Sequence, residues 1–358
     1  MKRTDDLPEL IAAIRSIAGD ELQIDEPGLL KASEKEIANR SGIAVKIVTV
    51  IGGILATLAF LTFLILGGLY DSESGLMITG FLLMAGALLM KKRVDMLFLD
   101  TLAITFYLSG VIMFCFGIAG GIHGTGLTET TLCFVIIAIG VLTILIVQAY
   151  MLVFFSTILI LGGAMGIVYF HSYGTLFFIY NAGLIILFTL FVLSEAKFIS
   201  IGPKFNQCYN PARIGILASL IATFYIVSDR WVVNNQLYVW LPSVAAIIAT
   251  LWLIPSIWKV LDLQNKVQQV ISFAAALLLL APTIGAPAIA TALLIILLSF
   301  LVNYKTGLVI GILFLIVSIS DYYYHLRLNL MTKSLLMMAS GVLFLLFYFL
   351  TRKRLSRL

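Results

Sequence analysis

Residues 174–194 read GTLFFIYNAGLIILFTLFVLS, and this stretch contains no charged side chain. A helix of that length rises about 30 Å, which is the thickness of the hydrocarbon core of a bilayer. The whole chain has 358 residues, of which 61% are hydrophobic and 11% charged, and its mean hydropathy is +1.09. Because a soluble globular domain is about 25% charged, the composition excludes that class and indicates a helical protein that crosses a membrane many times.

Polar breaks divide the rest of the chain into further apolar runs. Reading outward from residues 174–194, we predict an all-α fold, a polytopic transmembrane helical bundle of about 12 spans. The spans are predicted near residues 47–69, 75–90, 96–121, 131–148, 150–170, 174–194, 211–228, 238–258, 267–282, 286–302, 307–323 and 334–351. The second, ninth and tenth are slightly short for a span of about 20 residues.

Three parts of the chain follow from this pattern. We predict a small cytoplasmic N-terminal helical segment at 1–42, a transmembrane helical domain at 43–351 and a basic cytoplasmic tail at 352–358. The N-terminal segment carries apolar residues at helical spacing. It is either a helix that docks on a partner or on the membrane surface, or a small helical hairpin packed on the cytoplasmic loops.

The basic residues predict the orientation. With a cytoplasmic N-terminus, all but three of the 23 Lys and Arg residues fall in cytoplasmic segments, and the exceptions are Arg230, Arg327 and Lys333. The opposite orientation would violate the positive-inside rule. Both termini are therefore predicted to be cytoplasmic, and every predicted outer loop is short.

Several kinds of chemistry are not indicated. Lys and Arg are scattered between spans instead of clustered on one face, so the basic pI of about 9.0 does not predict nucleic-acid binding. Phosphate-loop, zinc-helix and nucleophile-elbow motifs are absent, and we predict a protein that is not an enzyme and uses no cofactor. The histidines lack metal-ligand spacing, so no metal site is predicted. Cys115 and Cys133 are either bridged or buried thiols.

Polar side chains within the predicted spans are candidates for a functional site, because they are costly in a bilayer. Asp100 either pairs with a cytoplasmic-side Lys or Arg or couples an ion or proton to transport. Asn181 either forms hydrogen bonds between helices or contributes to a polar site within the membrane. The short segment from Pro282 to Pro287 is either an outer hairpin or a re-entrant break that lines a cavity.

One dense pattern stands near the C-terminus, where residues 320–341 read SDYYYHLRLNLMTKSLLMMASG. Its core, YYYHLRLNLMTKS at 322–334, resembles the pattern YYYxLxxTLLxKS of a bacterial integral membrane family filed as domain of unknown function 4401. Asn329 and Met331 depart from that pattern without removing a charge or an aromatic ring. The resemblance implies a multi-pass protein of the bacterial inner membrane with no established activity. It also implies a membrane or periplasmic protein partner with a GDYXXLXY-type domain.

The same segment has two interpretations from its residues alone. Three tyrosines at the outer end of a span are typical of an interfacial aromatic belt. Alternatively, they form a partner-binding surface with basic residues that run against the orientation bias, since aromatic rings and Arg dominate binding hot spots. That surface would consist of Asp321, Tyr322, Tyr323, Tyr324, His325, Arg327 and Lys333.

Two functions are therefore compatible with the sequence. The first is a non-enzymatic membrane module that lies in the lipid bilayer and binds a protein partner through this C-terminal segment. The alternative is a small-molecule transporter or permease, which twelve spans with both termini inside would fit by analogy of fold alone. A polar cavity at the middle of the membrane, near Asp100 or Asn181, would favour the transporter.

Overall fold

The computed structural model describes residues 43–68, 72–93, 97–125, 129–171, 175–228, 240–260 and 266–325, with a few single positions elsewhere. Regular secondary structure within these ranges is helical throughout, which confirms the predicted all-α class. The predicted N-terminal segment 1–42, the basic tail 352–358 and nearly all of the last predicted span lie outside the described residues. Arg327 and Lys333 lie outside them as well.

Eleven helices of the described residues lie over the first eleven predicted spans in order, and one short helix lies between the sixth and seventh spans, where no span was predicted. In chain order the helices are α1 (Ile43–Leu66), α2 (Glu73–Arg93), α3 (Leu97–Thr125), α4 (Glu129–Ile146), α5 (Tyr150–His171), α6 (Thr175–Leu193), the short α7 (Glu195–Ile201), α8 (Pro203–Ser228), α9 (Trp240–Val260), α10 (Lys266–Leu280), α11 (Pro287–Leu301) and α12 (Lys305–His325).

Seven helices in the described part of the chain are long and apolar enough to cross a membrane, namely α2, α3, α4, α5, α6, α9 and α12. The predicted membrane character is thereby confirmed, whereas the count of twelve spans and their orientation stay predictions. The second predicted span is longer than expected, since α2 has 21 residues. Helices α10 and α11 have 15 residues each, or about 22 Å of helix, and are as short as the sequence indicated.

Large apolar side chains cover the outside of the helices. Leu66 in α1, Phe116 in α3 and Leu145 in α4 have exposed fractions of 83%, 65% and 69%. An apolar surface of this extent is unfavourable in water but is the surface that hydrocarbon chains contact. The outward-facing side chains therefore agree with the membrane character of the helices.

The chain forms two compact units, residues 1–127 and 128–358. In the first unit, α2 and α3 pack closely because small residues face each other. A Cβ atom at Gly110 would lie 2.8 Å from the backbone oxygen of Gly80. Ala87 and Ala103, each seven residues from one of these glycines, have almost no exposed surface. Small residues at this spacing let helix backbones approach within a membrane.

In the second unit, α11 is the central helix and packs against α6, α9 and α12. Six of its residues have no exposed surface, namely Ala290, Thr291, Ala292, Leu294, Ile295 and Leu298. Helices α6, α8, α9 and α12 contribute the rest of the same apolar core. Most other residues of α11 are half-buried, and Phe300 is exposed, so this short helix contributes to the core along most of its length.

A short 3-10 turn at Ala281–Gly285 separates α10 from α11. The Thr283 hydroxyl donates a hydrogen bond to the Leu280 carbonyl at 2.6 Å, and the Ala286 amide donates to the Thr283 carbonyl at 2.9 Å. These bonds satisfy backbone groups that the adjacent helix ends leave open. The turn predicted between Pro282 and Pro287 is present, and its depth in the membrane stays a prediction.

Candidate functional site

The predicted partner-binding residues of the described chain lie on the last turns of α12. We call Asp321, Tyr322, Tyr323, Tyr324 and His325 the tyrosine end. The exposed fraction is 86% for Tyr324 and 43% for Tyr322, and Asp321 is also exposed. Tyr323 is half-buried. Since the helix continues to His325, Asp321 and His325 lie one turn apart, as the i,i+4 spacing predicted.

The two predicted intramembrane polar residues lie in different units. Asp100 belongs to α3 and is the fourth residue of that helix. Asn181 belongs to α6 and has no exposed surface. Its Nδ2 atom donates to the Phe177 carbonyl at 3.1 Å, within the same helix, and the predicted hydrogen bond between helices stays a prediction. Its Oδ1 atom is buried without a partner among the described residues.

A polar cluster that the sequence did not single out surrounds Arg213 on α8. Arg213 has an exposed fraction of only 7%. Its Nη2 atom donates to Asn210 Oδ1 at 2.8 Å, and its Nη1 atom donates to Glu195 Oε2 at 3.4 Å. Glu195 begins α7 just after α6, so the cluster joins the end of α6 to the first part of α8.

Aromatic rings supply much of the remaining contact to the guanidinium. The Arg213 Cζ atom lies over the Tyr304 ring, 3.6 Å from its centroid, and 5.1 Å from the centroid of Tyr209. Tyr209 stacks in turn on Phe191 of α6, with centroids 5.0 Å apart and ring planes 14° apart. A desolvated cation over ring faces gains about 2 kcal/mol or more. We call Arg213, Glu195, Tyr209, Asn210 and Tyr304 the Arg213 site.

The end of α11 places Tyr304 against the cation. Asn303 has φ of 54°, in the left-handed region that Asn tolerates better than most residues. The Tyr304 amide donates to the Ser299 carbonyl at 2.7 Å and the Asn303 amide to the Phe300 carbonyl at 3.2 Å, which is the Schellman pattern of a helix C-terminus. Gly307 leaves room for the ring, because a Cβ atom there would overlap it.

The Arg213 site has unpaired hydrogen-bond donors. Within the described part of the chain, neither Arg213 Nε nor the Tyr304 hydroxyl has a hydrogen-bond partner, although both are buried. Burial raises the pKa of the Tyr304 phenol, and the nearby Arg213 charge opposes that shift. The phenol is therefore neutral near pH 7 and keeps its proton to donate.

In the sequence, Arg213 is one of the many basic residues of the predicted cytoplasmic side, and Tyr304 lies between the predicted spans 286–302 and 307–323. The available signal was a charged side chain two positions after Pro211, at the edge of an apolar run. Nothing in the sequence connects it with Tyr304, which is 91 positions away.

In the described part of the chain, no three His, Cys, Asp or Glu side chains come together in a way that would hold a metal ion. The structure records Cys115, Cys133 and Cys208 as thiols. Of the two predicted states of Cys115 and Cys133, the bridged one is therefore not the state observed.

The apolar helices and their lipid-compatible surface define an α-helical membrane protein. Residues 43–354 match the family described as Domain of unknown function (DUF4401). The match covers most of the chain, so the protein belongs to this family, and the resemblance drawn from residues 322–334 is confirmed. A comparison with curated proteins and one with solved structures found no match.

Proposed function

We propose that this protein is a non-enzymatic membrane module that binds a protein partner through the tyrosine end. The exposure of Tyr322 and Tyr324 beside the charged Asp321 is the observation that carries the proposal. Tyrosine brings a large rigid contact area with few rotatable bonds, and a polar hydroxyl that suits a surface near water. The partner that family membership favours is a protein with a GDYXXLXY-type domain.

We further propose a topology of twelve spans with both termini in the cytoplasm of a bacterial cell, in the inner membrane. The bias of the basic residues supports this topology. Stacking of Tyr304 on Arg213 is compatible with this topology, because an even number of predicted spans, four, separates the two residues and returns the chain to the same side. In the proposed topology these four crossings are made by α8, α9, α10 and α11.

The topology is tested by labelling single cysteines in a variant that has its three native cysteines replaced by serine. A membrane-impermeant thiol reagent added to intact cells should label Ser72→Cys and leave Lys204→Cys unlabelled until the cells are opened. Labelling of Lys204→Cys in intact cells would contradict the proposed orientation.

The partner proposal is tested by co-expression with a GDYXXLXY-domain protein. The variant Tyr322→Ala/Tyr324→Ala should lose co-purification of that protein and keep membrane insertion. Tyr169 and Tyr225 lie at the ends of α5 and α8, on the same side as the tyrosine end in the proposed topology. Their exposed fractions of 54% and 51% fall between those of Tyr322 and Tyr324. The control Tyr169→Ala/Tyr225→Ala should co-purify the partner as the parent does. Equal loss of co-purification in both variants would mean that the tyrosine end is an interfacial aromatic belt and not a binding surface.

A transporter is the second candidate, and Asn181 is the observation that favours it. Its buried Oδ1 atom has no partner in the described residues, which is unusual for a buried polar group and suits a site that receives a polar substrate. In the same cysteine-free background, Asn181→Cys should react with a small water-soluble thiol reagent if a polar pathway reaches it. Phe188→Cys, equally buried on α6, is the control. Equal protection of both positions would contradict a water-accessible pathway at Asn181.

A further inference from the structure

The Arg213 site presents more hydrogen-bond donors than its own acceptors satisfy. Arg213 Nε and the Tyr304 hydroxyl are donors on two side chains that stack on each other, and neither has a partner among the described residues. A buried donor without an acceptor is costly, whereas an ionised oxygen acceptor forms strong bonds to such groups. Arg is also the residue whose planar donors fit phosphate oxygens best.

We propose that the Arg213 site binds a phosphate group, with Arg213 Nε and the Tyr304 hydroxyl as its donors. The group belongs to the headgroup of an anionic phospholipid or to a free phosphate. This proposal is separate from partner binding at the tyrosine end, and it rests on the proposed topology only for the side of the membrane, which would be cytoplasmic.

The charge of the site favours an anion because Glu195 neutralises Arg213 incompletely. Their contact of 3.4 Å is longer than the 2.7–2.9 Å of a strong charge-assisted bond. The Glu195 side chain is one third exposed, so it can turn to water when another anion approaches. Lys197 and Lys305, both exposed, flank Glu195 and Tyr304 in the chain and add positive charge around the site.

The position of the site suits a lipid headgroup. It lies where α6 ends and α12 begins, at the end of two apolar helices that are long enough to span the membrane. Basic pockets between membrane helices on the cytoplasmic side are known binding sites for anionic lipid headgroups. Ile199 and Phe205, in the segment between Glu195 and Arg213, have exposed fractions of 45% and 53% and offer apolar surface to an acyl chain.

The experiment measures ligand binding to the purified full-length protein in a detergent without phosphate, by native mass spectrometry and thermal shift. Phosphatidylglycerol should bind saturably, and diacylglycerol, which has the same chains and no phosphate, should not. Tyr304→Phe keeps the ring and removes one donor, so it should weaken the binding by about tenfold or more. Tyr225→Phe removes a hydroxyl from the other end of α8 and should bind as the parent does.

Inorganic phosphate distinguishes the two sources of the group. Displacement of phosphatidylglycerol by millimolar phosphate would assign the site to a free phosphate, and lack of displacement would assign it to the lipid. Either result supports a phosphate site if the Tyr304→Phe effect is present. Arg213→Lys keeps the charge and removes the planar donors, so it gives a second test if Tyr304→Phe does not fold.

Two results would overturn the proposal. The first is binding of phosphatidylglycerol no tighter than that of diacylglycerol, together with no binding of inorganic phosphate. The second is equal affinity of the parent, Tyr304→Phe and Arg213→Lys. Because no protein partner is present in these measurements, neither result depends on the outcome of the partner experiment at the tyrosine end.

Discussion

Deleting one oxygen atom from Tyr304 tests whether the Arg213 site really holds an unpaired donor. Tyr304→Phe keeps a ring under the guanidinium and removes only the hydroxyl, which has no partner among the described residues. A buried polar group without a partner costs about 1–3 kcal/mol. We therefore expect the free energy of unfolding of the ligand-free protein to rise by about 1 kcal/mol or more.

The matched control is Tyr209→Phe, in the same site. Tyr209 is 2% exposed, and its hydroxyl lies 3.4 Å from the Phe191 carbonyl and 3.3 Å from the Val192 carbonyl, to which it donates. Loss of a paired hydroxyl costs about 0.5–1.5 kcal/mol. The same chemical change should thus stabilise the protein at position 304 and destabilise it at position 209.

Equilibrium unfolding in mixed micelles, followed by circular dichroism, measures both free energies against the parent. A loss of stability in Tyr304→Phe comparable to that in Tyr209→Phe would refute the reasoning, because the Tyr304 hydroxyl would then be paired in the ligand-free protein. Adding phosphatidylglycerol gives an internal check. It should stabilise the parent more than Tyr304→Phe, since only the parent retains both donors.

Three further substitutions, two of them with a control variant, test the packing with the same unfolding measurement. Gly307→Ala should cost about 1–3 kcal/mol because its Cβ overlaps the Tyr304 ring, whereas Gly162→Ala, which meets nothing within 4 Å, should be neutral or stabilising. Gly110→Ala should cost a similar amount, because its Cβ would press on a backbone oxygen of α2; a neutral result would contradict the close approach of α2 and α3. Asn303→Ala should cost about 1 kcal/mol, since Ala tolerates positive φ poorly, and Asn303→Gly should cost less.

The sequence predicted the helices well wherever a span is apolar from end to end. Residues 174–194 were predicted as a span, and α6 occupies Thr175–Leu193, because its only interruptions are small or amide side chains. The prediction was poorer for α8, which begins at Pro203 instead of near residue 211. Its first two turns are polar, and hydropathy registers only the part of a helix that lies in hydrocarbon.

The two candidate sites also differ in how well the sequence predicts them. The tyrosine end is contiguous in sequence, so composition and helical spacing were enough to single it out. The Arg213 site is assembled from Glu195 at the junction of α6 and α7, Arg213 within α8 and Tyr304 at the junction of α11 and α12. No periodicity links these positions, and each alone looks like an ordinary residue of a polar turn. Only the packing of α6, α8 and α11 brings them together.

Helix α12 carries one proposed surface at each end, which bears on whether the two are coupled. Its 21 residues rise about 30 Å, so in the proposed topology Tyr304 and the tyrosine end would lie near opposite sides of the membrane. A Cβ atom at Gly311 would lie 2.9 Å from the Ile295 side chain, so α12 packs closely on α11. Coupling from the Arg213 site to the tyrosine end would have to shift α12 against this contact or shift both helices. Partner binding unchanged by Tyr304→Phe would mean that the surfaces act separately, whereas partner affinity that follows lipid occupancy would mean that they are coupled.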